Sequence, residues 1–215
     1  MTRRRCLSSV ETARAEDHLR YSGAGETAQR AVLDGIIRAE PTLMRVLETL
    51  RDIDLPDHLL VAGALYNAVW NHLTGRPALA GVKDIDVAYF DASNLSWEVE
   101  DMIIKRLDGL FGDLPVPVEA RNPARVHLWF PQKFGTPFPP LSSAGETLTR
   151  YASKTHAVGA RLGADGRLTI LAPFGLDDLF SFRMVPNHAL DNRKTHETKS
   201  ARATSIWPQV TVVPW

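Results

Sequence analysis

Apolar positions along the chain switch between two periods, and the switches mark the elements. From Glu26 the pattern is helical. Pro41 suits a first helical position, and Leu43, Val46, Leu47 and Leu50 then recur at i, i+3, i+4 and i+7. Two helices over 26–39 and 41–52 are predicted, closed by the turn Asp54-Leu55-Pro56-Asp57. Leu59-Leu60-Val61-Ala62 is a short apolar run ending at Gly63, and Ala64 to Leu73 is compatible with a helix. A loop from Gly75 to Gly81 leads into Asp84-Ile85-Asp86-Val87-Ala88-Tyr89-Phe90, a strand whose start has one polar and one apolar edge. Trp97 to Leu110 returns to helical spacing through Val99, Met102, Ile103, Leu107 and Leu110, with Ser96 as a candidate cap. Pro115 to Arg121 alternates again, so the order is β-α-β-α-β after two leading helices.

Asn122-Pro123 breaks the pattern and opens the second half. Ser143-Ala144-Gly145-Glu146 has capping-box spacing ahead of a short helix. Ala157 to Leu162 and Arg167 to Leu171 flank Gly163-Ala164-Asp165-Gly166, a hairpin signal. A short helix from Leu176 to Phe182 and a polar one from Lys194 to Thr204 precede Trp207-Pro208. Residues 1–24 are polar with no apolar period and read as a frayed N-terminal arm or a loosely docked helix. No repeat or linker interrupts the rest, which is expected to be one α+β domain over 25–210 with helical extensions.

Composition narrows the classes. Lys plus Arg and Asp plus Glu are 25 each, so no bulk positive field draws in nucleic acid or an anionic membrane, although a local basic site stays open. Cys6 is the single cysteine, which excludes an internal disulfide, a Cys-rich zinc site and a CxxC redox motif. The longest mostly apolar run, Leu59 to Trp70, contains Asn67 and falls well short of the ~20 residues of a membrane span. Arg3-Arg4-Arg5 could begin a signal peptide, but Glu11, Arg14 and Glu16 stand where its apolar region belongs. The expectation is a soluble, cytoplasmic protein.

The densest chemistry lies in Lys83-Asp84-Ile85-Asp86-Val87. Residues i and i+2 of a strand point to one side, so Asp84 and Asp86 project together, with Cα atoms roughly 6–7 Å apart. Two like charges side by side repel, and a divalent cation relieves that repulsion; carboxylate oxygens suit Mg²⁺ or Mn²⁺. The plainer alternative is a solvated strand edge with two ordinary aspartates. Gly63, between a strand and a helix, lets a phosphate approach the backbone where helix-terminal N–H groups attract anions; otherwise it is a tight turn. Glu119 alternates with Val116, Val118 and Ala120, and a neighbouring strand could bring it beside the aspartates; otherwise it is one exposed glutamate.

Together these features resemble the nucleotidyltransferase superfamily pattern: strand–Gly–helix, a D-x-D strand about twenty residues later, and a carboxylate on a following strand. The stretches AGALYNAVWNHLTG (62–75), KDIDVAYFD (83–91), EARNPARVHLWF (119–130) and APFGLDDLFSFRMVPN (172–187) are similar to the bacterial nucleotidyltransferase-like family, once a domain of unknown function, within the DNA polymerase β-type fold. They span roughly residues 30–210, in the family's order. The resemblance implies a small mixed sheet with helices on one side, Gly63 in a phosphate loop, Asp84 and Asp86 as metal ligands and Glu119 as the third acid. It also implies two-metal phosphoryl chemistry, with Asp86 or Glu119 as base or bridging ligand. Three positions depart from the pattern: Ala64 replaces the usual Gly or Ser, Tyr66 stands where many members carry Arg, and Pro123 where many carry Gln.

Nearby polar residues are further candidates for nucleotide contacts. Lys83, Arg125 and His127 could hold phosphate oxygens, against surface charge for the first and structural hydrogen bonding for the other two. Asn67, one helical turn past Gly63, faces either the site or solvent. Asp177 and Asp178 are read as favourable acids at a helix start rather than a second metal site. His156, His188 and His196 lack metal-ligand spacing, and Trp70, Tyr89, Phe90, Trp129, Phe130 and Phe174 are assigned to the core.

The function this favours is a metal-dependent nucleotidyltransferase that moves a nucleoside monophosphate from an NTP to an acceptor the sequence does not name. A catalytically inert nucleotide- or protein-binding module of the same fold is the alternative, motivated by Ala64, Tyr66 and Pro123. A phosphodiesterase or nuclease ranks last, because no basic stripe signals a polynucleotide partner. Oligomeric state is left open.

Overall fold

The computed structural model describes residues 17–215; Cys6 and the Arg3-Arg4-Arg5 run lie outside the described residues, as does most of the expected arm. The two leading helices form where the apolar stripe places them, α1 over Glu26–Ala39 and α2 over Pro41–Asp52. Glu40 caps α2 by accepting the Thr42 N–H at 3.1 Å, with Pro41 at the first position. Their stripes, Leu33, Ile36 and Ile37 on α1 and Leu43, Val46, Leu47 and Leu50 on α2, are buried.

Strand β1 (Leu59–Val61) runs into helix α3 (Gly63–Leu73), and strand β2 (Ile85–Ala88) leads to helix α4 (Trp97–Phe111) and strand β3 (Val118–Arg121). After helix α5 (Val126–Phe134), the hairpin forms β4 (Gly159–Leu162) and β5 (Leu168–Leu171) around Gly166, whose φ of 75° suits a glycine turn. The five strands make one mixed sheet in the order β3-β2-β1-β4-β5, parallel only between β2 and β3. A short helix α6 (Asp177–Phe180), strand β6 (Arg183–Met184), helix α7 (Arg193–Ile206) and strand β7 (Thr211–Val212) complete the chain, with β6 and β7 paired in parallel.

Alternation divides the sheet into two unequal faces. Leu60, Ile85, Val87, Val118, Ala120 and Ala160 belong to the main core with helices α1 to α4. Leu59, Val61 and Ala88 face the other way, into a smaller cluster with Ala144, Leu148 and Ala157, against which Phe90, Tyr151 and Leu171 also pack. The thinly covered face is the one that carries Asp86, Glu119 and Arg121.

Several local expectations are corrected. Of the two readings offered for the arm, residues 17–24 take the docked one: the Gly23 N–H donates to Asp177 at 2.7 Å, and His18 meets the edge of Phe182 at 4.8 Å. Ser96 makes no side-chain cap. The capping box is displaced by one residue, because Glu146 accepts the N–H and hydroxyl of Ser142 while Ser143 Oγ accepts the Glu146 N–H. After the Asn122-Pro123 break, the stretch that holds Arg125 and His127, to which the sequence pattern assigns no element, forms a 3₁₀ turn, Pro123–Arg125, and α5. Asn122 caps that turn by accepting the Ala124 N–H, which ends β3. Trp129 and Phe174, assigned to the core from sequence, are 37% and 38% exposed.

Candidate active site

Parallel pairing of β2 with β3 puts Asp86 directly beside Glu119 and Ala88 beside Arg121. On the other flank Val61 of β1 stands opposite Asp86. One face therefore presents Asp86 between an apolar neighbour and a carboxylate. Asp84 precedes β2 by one residue and keeps the parity of Asp86. Burial, then the neighbouring Asp84 charge and more weakly Glu119, push the Asp86 carboxyl up to about 6, against opposing pulls from Lys199 and Arg121. Glu119 donates no help in return: it is itself engaged by Arg121, Nη2 to Oε2 at 3.1 Å, in an exposed pair.

Chain direction reverses at the end of β1. Ala62 adopts φ 50°, ψ −106°, a conformation that an L side chain resists and that stores roughly 1–3 kcal/mol of strain. Its carbonyl accepts the N–H groups of Leu65 and Tyr66 at 3.0 Å each, leaving the amides of Gly63 and Ala64 as helix-terminal donors. Gly63 itself has no positive φ, and a Cβ there would meet nothing within 4 Å. What the glycine supplies is open space over the α3 N-terminus, where an anion is favoured.

Asp86 also floors a cleft of about 360 Å³. Val61, Ala62 and Ala88 share that floor, and Trp129, Phe130 and Phe134 of α5 wall one side. Arg121, Arg150, Tyr151, His156 and Lys199 of α7 are among the other residues that line the cleft. The His156 ring stacks on Tyr66, centroids 4.2 Å apart, and burial holds its pKa well below the ordinary histidine range, with Lys199 and His196 adding to the effect. Tyr66 is pushed up to about 12, chiefly by burial.

Of the eight residues singled out from sequence, only Asp86 lines this cleft. Gly63, Asp84 and Glu119 adjoin it through the geometry just given. Arg125 does not reach it: the guanidinium is paired with the buried Glu100, and its Nε donates to the Leu95 carbonyl at 2.8 Å. His127, on α5, buries Nδ1 without a partner among the described residues and stays outside the cleft, as does the exposed Lys83. Asn67 is buried within α3 and faces neither the cleft nor solvent. Asp177 anchors residues 17–24 through Gly23, Gln29 and Ser181. Sequence reasoning missed Arg121, Arg150, His156 and Lys199, which local pattern does not join to Asp86.

For a hard divalent cation the donor set fits in part. Asp84 and Asp86 repel one another, and Asp86 has no cation within ion-pair distance among the described residues. That suits Mg²⁺ or Mn²⁺, which one or two carboxylates hold together with substrate phosphates. Among the described residues, no group of three His, Cys, Asp or Glu side chains is drawn together tightly enough to enclose an ion. The expected three-acid cluster is thus two aspartates with Glu119 turned to Arg121.

This fold, with an acid row beside a helix start on one face of a small mixed sheet, is that of the nucleotidyltransferases. The chain belongs to a nucleotidyltransferase family, whose sequence profile matches residues 48–212. It is similar to a solved structure determined by NMR and described as a CCA-adding enzyme head domain, at 25% identity and a TM-score of 0.69. The similarity covers 85% of this chain and 95% of that one. No curated protein matches it. Among the described residues no helix is long and apolar enough to cross a membrane.

Proposed function

We propose that the protein transfers a nucleoside monophosphate from an NTP to a hydroxyl acceptor and depends on Mg²⁺ or Mn²⁺. The observation that carries this reading is the register pairing of Asp86 with Glu119 on the thinly covered face, beside the strained start of α3. The donor's phosphates approach the Gly63 and Ala64 amides, where the absent side chain leaves room. Asp84 and Asp86 would hold the cation, which when bound supplies charge neutralisation of the triphosphate. Lys199, close enough to lower the Asp86 pKa, adds positive charge on the same side.

The acceptor oxygen attacks the α-phosphorus and forms a new O–P bond. The bond from that phosphorus to the bridging oxygen of the β-phosphate breaks, and pyrophosphate leaves with the electron pair. The hydroxyl proton passes to Glu119, whose exposed pairing with Arg121 is weak and readily exchanged. Positioning and charge do the work, with no covalent intermediate.

Pyrophosphate release is measured with each NTP, with Mg²⁺ or Mn²⁺, in the presence of a small-molecule extract as acceptor source. Wild type releases pyrophosphate, while Asp86→Asn and Glu119→Gln fall at least a hundredfold. Nucleotide binding without any release under these conditions would favour the inert-module alternative, for which Ala64, Tyr66 and the Arg121-engaged Glu119 speak.

A further inference from the structure

The two walls of the cleft differ in character. On α5 the Phe130 ring lies 4.5 Å from Phe134 and 4.7 Å from Phe138, and Trp129 lies 6.0 Å from Phe130, forming one aromatic surface. Trp129 and Phe134 are 37% and 50% exposed. Contiguous aromatic surface of this kind marks a place where something binds.

The polar side holds groups that the described residues leave unpartnered. His156 is only 2% exposed, and its Nε2 has no hydrogen bond. Arg150 Nε is likewise buried without a partner, and its guanidinium reaches Glu146 only at 3.8 Å. Buried polar groups are normally satisfied, so two orphans on one cleft wall point to a ligand that satisfies them. Lys199 adds a second positive charge to the same cavity.

An aromatic wall of mutually tilted rings facing a cationic one suits a molecule with a ring, which meets them face or edge on, and an anionic group. The donor nucleotide's phosphates have the amides at the α3 start to meet and, through a cation that Asp84 and Asp86 would hold, a second anchor, and its base and ribose carry no charge for Arg150 to meet. We propose that the cleft is the acceptor subsite, and that the acceptor is a small hydroxyl-bearing molecule with a flat aromatic body and one anionic group. This rests on the nucleotidyl-transfer reading above. The ring lies against Trp129 and Phe130, the anion meets Arg150, and the hydroxyl is thereby held near Asp86 on the cleft floor. The volume of about 360 Å³ belongs to the small-molecule class of site. Bond making and breaking at the α-phosphorus, and the path of the proton, are those already given.

Metal-free protein is titrated with AMP and, separately, with 4-hydroxybenzoate, followed by calorimetry. At least one of the two binds wild type, and Arg150→Gln and Trp129→Ala each weaken it tenfold or more, with thermal melts showing both variants folded. Lys105→Ala, on the exposed side of α4, leaves binding within twofold. Binding persists at saturating non-hydrolysable NTP analogue with Mg²⁺; competition would assign the cleft to the donor's nucleoside and overturn the proposal. Failure of both probes at millimolar concentration, or equal affinity in all variants, would overturn it as well. A protein that releases pyrophosphate yet binds neither probe loses only the acceptor assignment. One that binds a probe but never releases pyrophosphate loses the transfer reading instead.

Discussion

Asp86, proposed above as a metal ligand, works against stability. Its carboxyl is pushed up to about 6 from 3.8, first by burial and next by Asp84. Between those values the folded chain holds more protons than the unfolded one, so stability falls as pH rises through that window and the deficit persists above it. The deficit is roughly 1–3 kcal/mol. In EDTA, wild type therefore melts lower at pH 8 than at pH 4.5 by this contribution, other groups aside. Asp86→Asn removes that component, and at pH 8 its Tm rises by several degrees while activity is lost. Scanning calorimetry of both proteins at the two pH values checks this; an unchanged or lower Tm for the variant at pH 8 contradicts it. Arg125 teaches the opposite lesson at the same scale. From sequence it is a candidate for phosphate contact, but a partner 25 residues away, the buried Glu100, takes its charge.

Among the elements, β1 and α3 show strain and space divided between neighbouring residues. Ala62 carries the positive φ, and Gly63 carries the emptiness. Gly63→Ala is accordingly expected to fold normally and to melt at or slightly above wild type, since Ala is favoured over Gly in a helix by about 1 kcal/mol. Its Cβ occupies the space over the helix start, and affinity for a non-hydrolysable NTP analogue with Mg²⁺ falls at least tenfold by calorimetry. Unchanged affinity would remove this helix start from the phosphate site. The helical and strand periods of α1, α2, α3, α4 and the hairpin were legible because each has a regular apolar stripe or alternation. Helix α5 was not, because Asn122-Pro123 reads as a break and Pro131 interrupts the helix itself.

Across the whole molecule, packing of α7 onto the rest brings Lys199 to the cleft. Trp207, just after α7, is 1% exposed, meets Trp70 edge to face at 5.1 Å, and donates its indole N–H to Asn71 Oδ1 at 3.0 Å. Asn71 in turn donates to the carbonyls of Ala78 and Ala80, tying the loop before β2 to the same anchor. Trp207→Ala leaves a large cavity and an unpaired Asn71, for a loss of about 3–5 kcal/mol. Urea denaturation should show that loss, and NTP-dependent pyrophosphate release should decline in parallel as α7 loosens; a loss below 1 kcal/mol would show that the C-terminal segment is not part of the cooperative unit.

The sequence by itself determined the order of elements and the side to which each acid points. A side chain's face follows from a period of two or 3.6 along its own element. Asp84 and Asp86 could therefore be placed on one side of their strand without coordinates, and Glu119 opposite the apolar residues of its own, while the β2–β3 register brings Glu119 beside Asp86. Tertiary structure decided what stands opposite them: Arg121 beside Glu119, His156 and Lys199 around Asp86, Arg150 and the α5 aromatics across the cleft. Those neighbours come from segments whose approach is set by helix and sheet packing over long separations, and no local period encodes a distance of that kind.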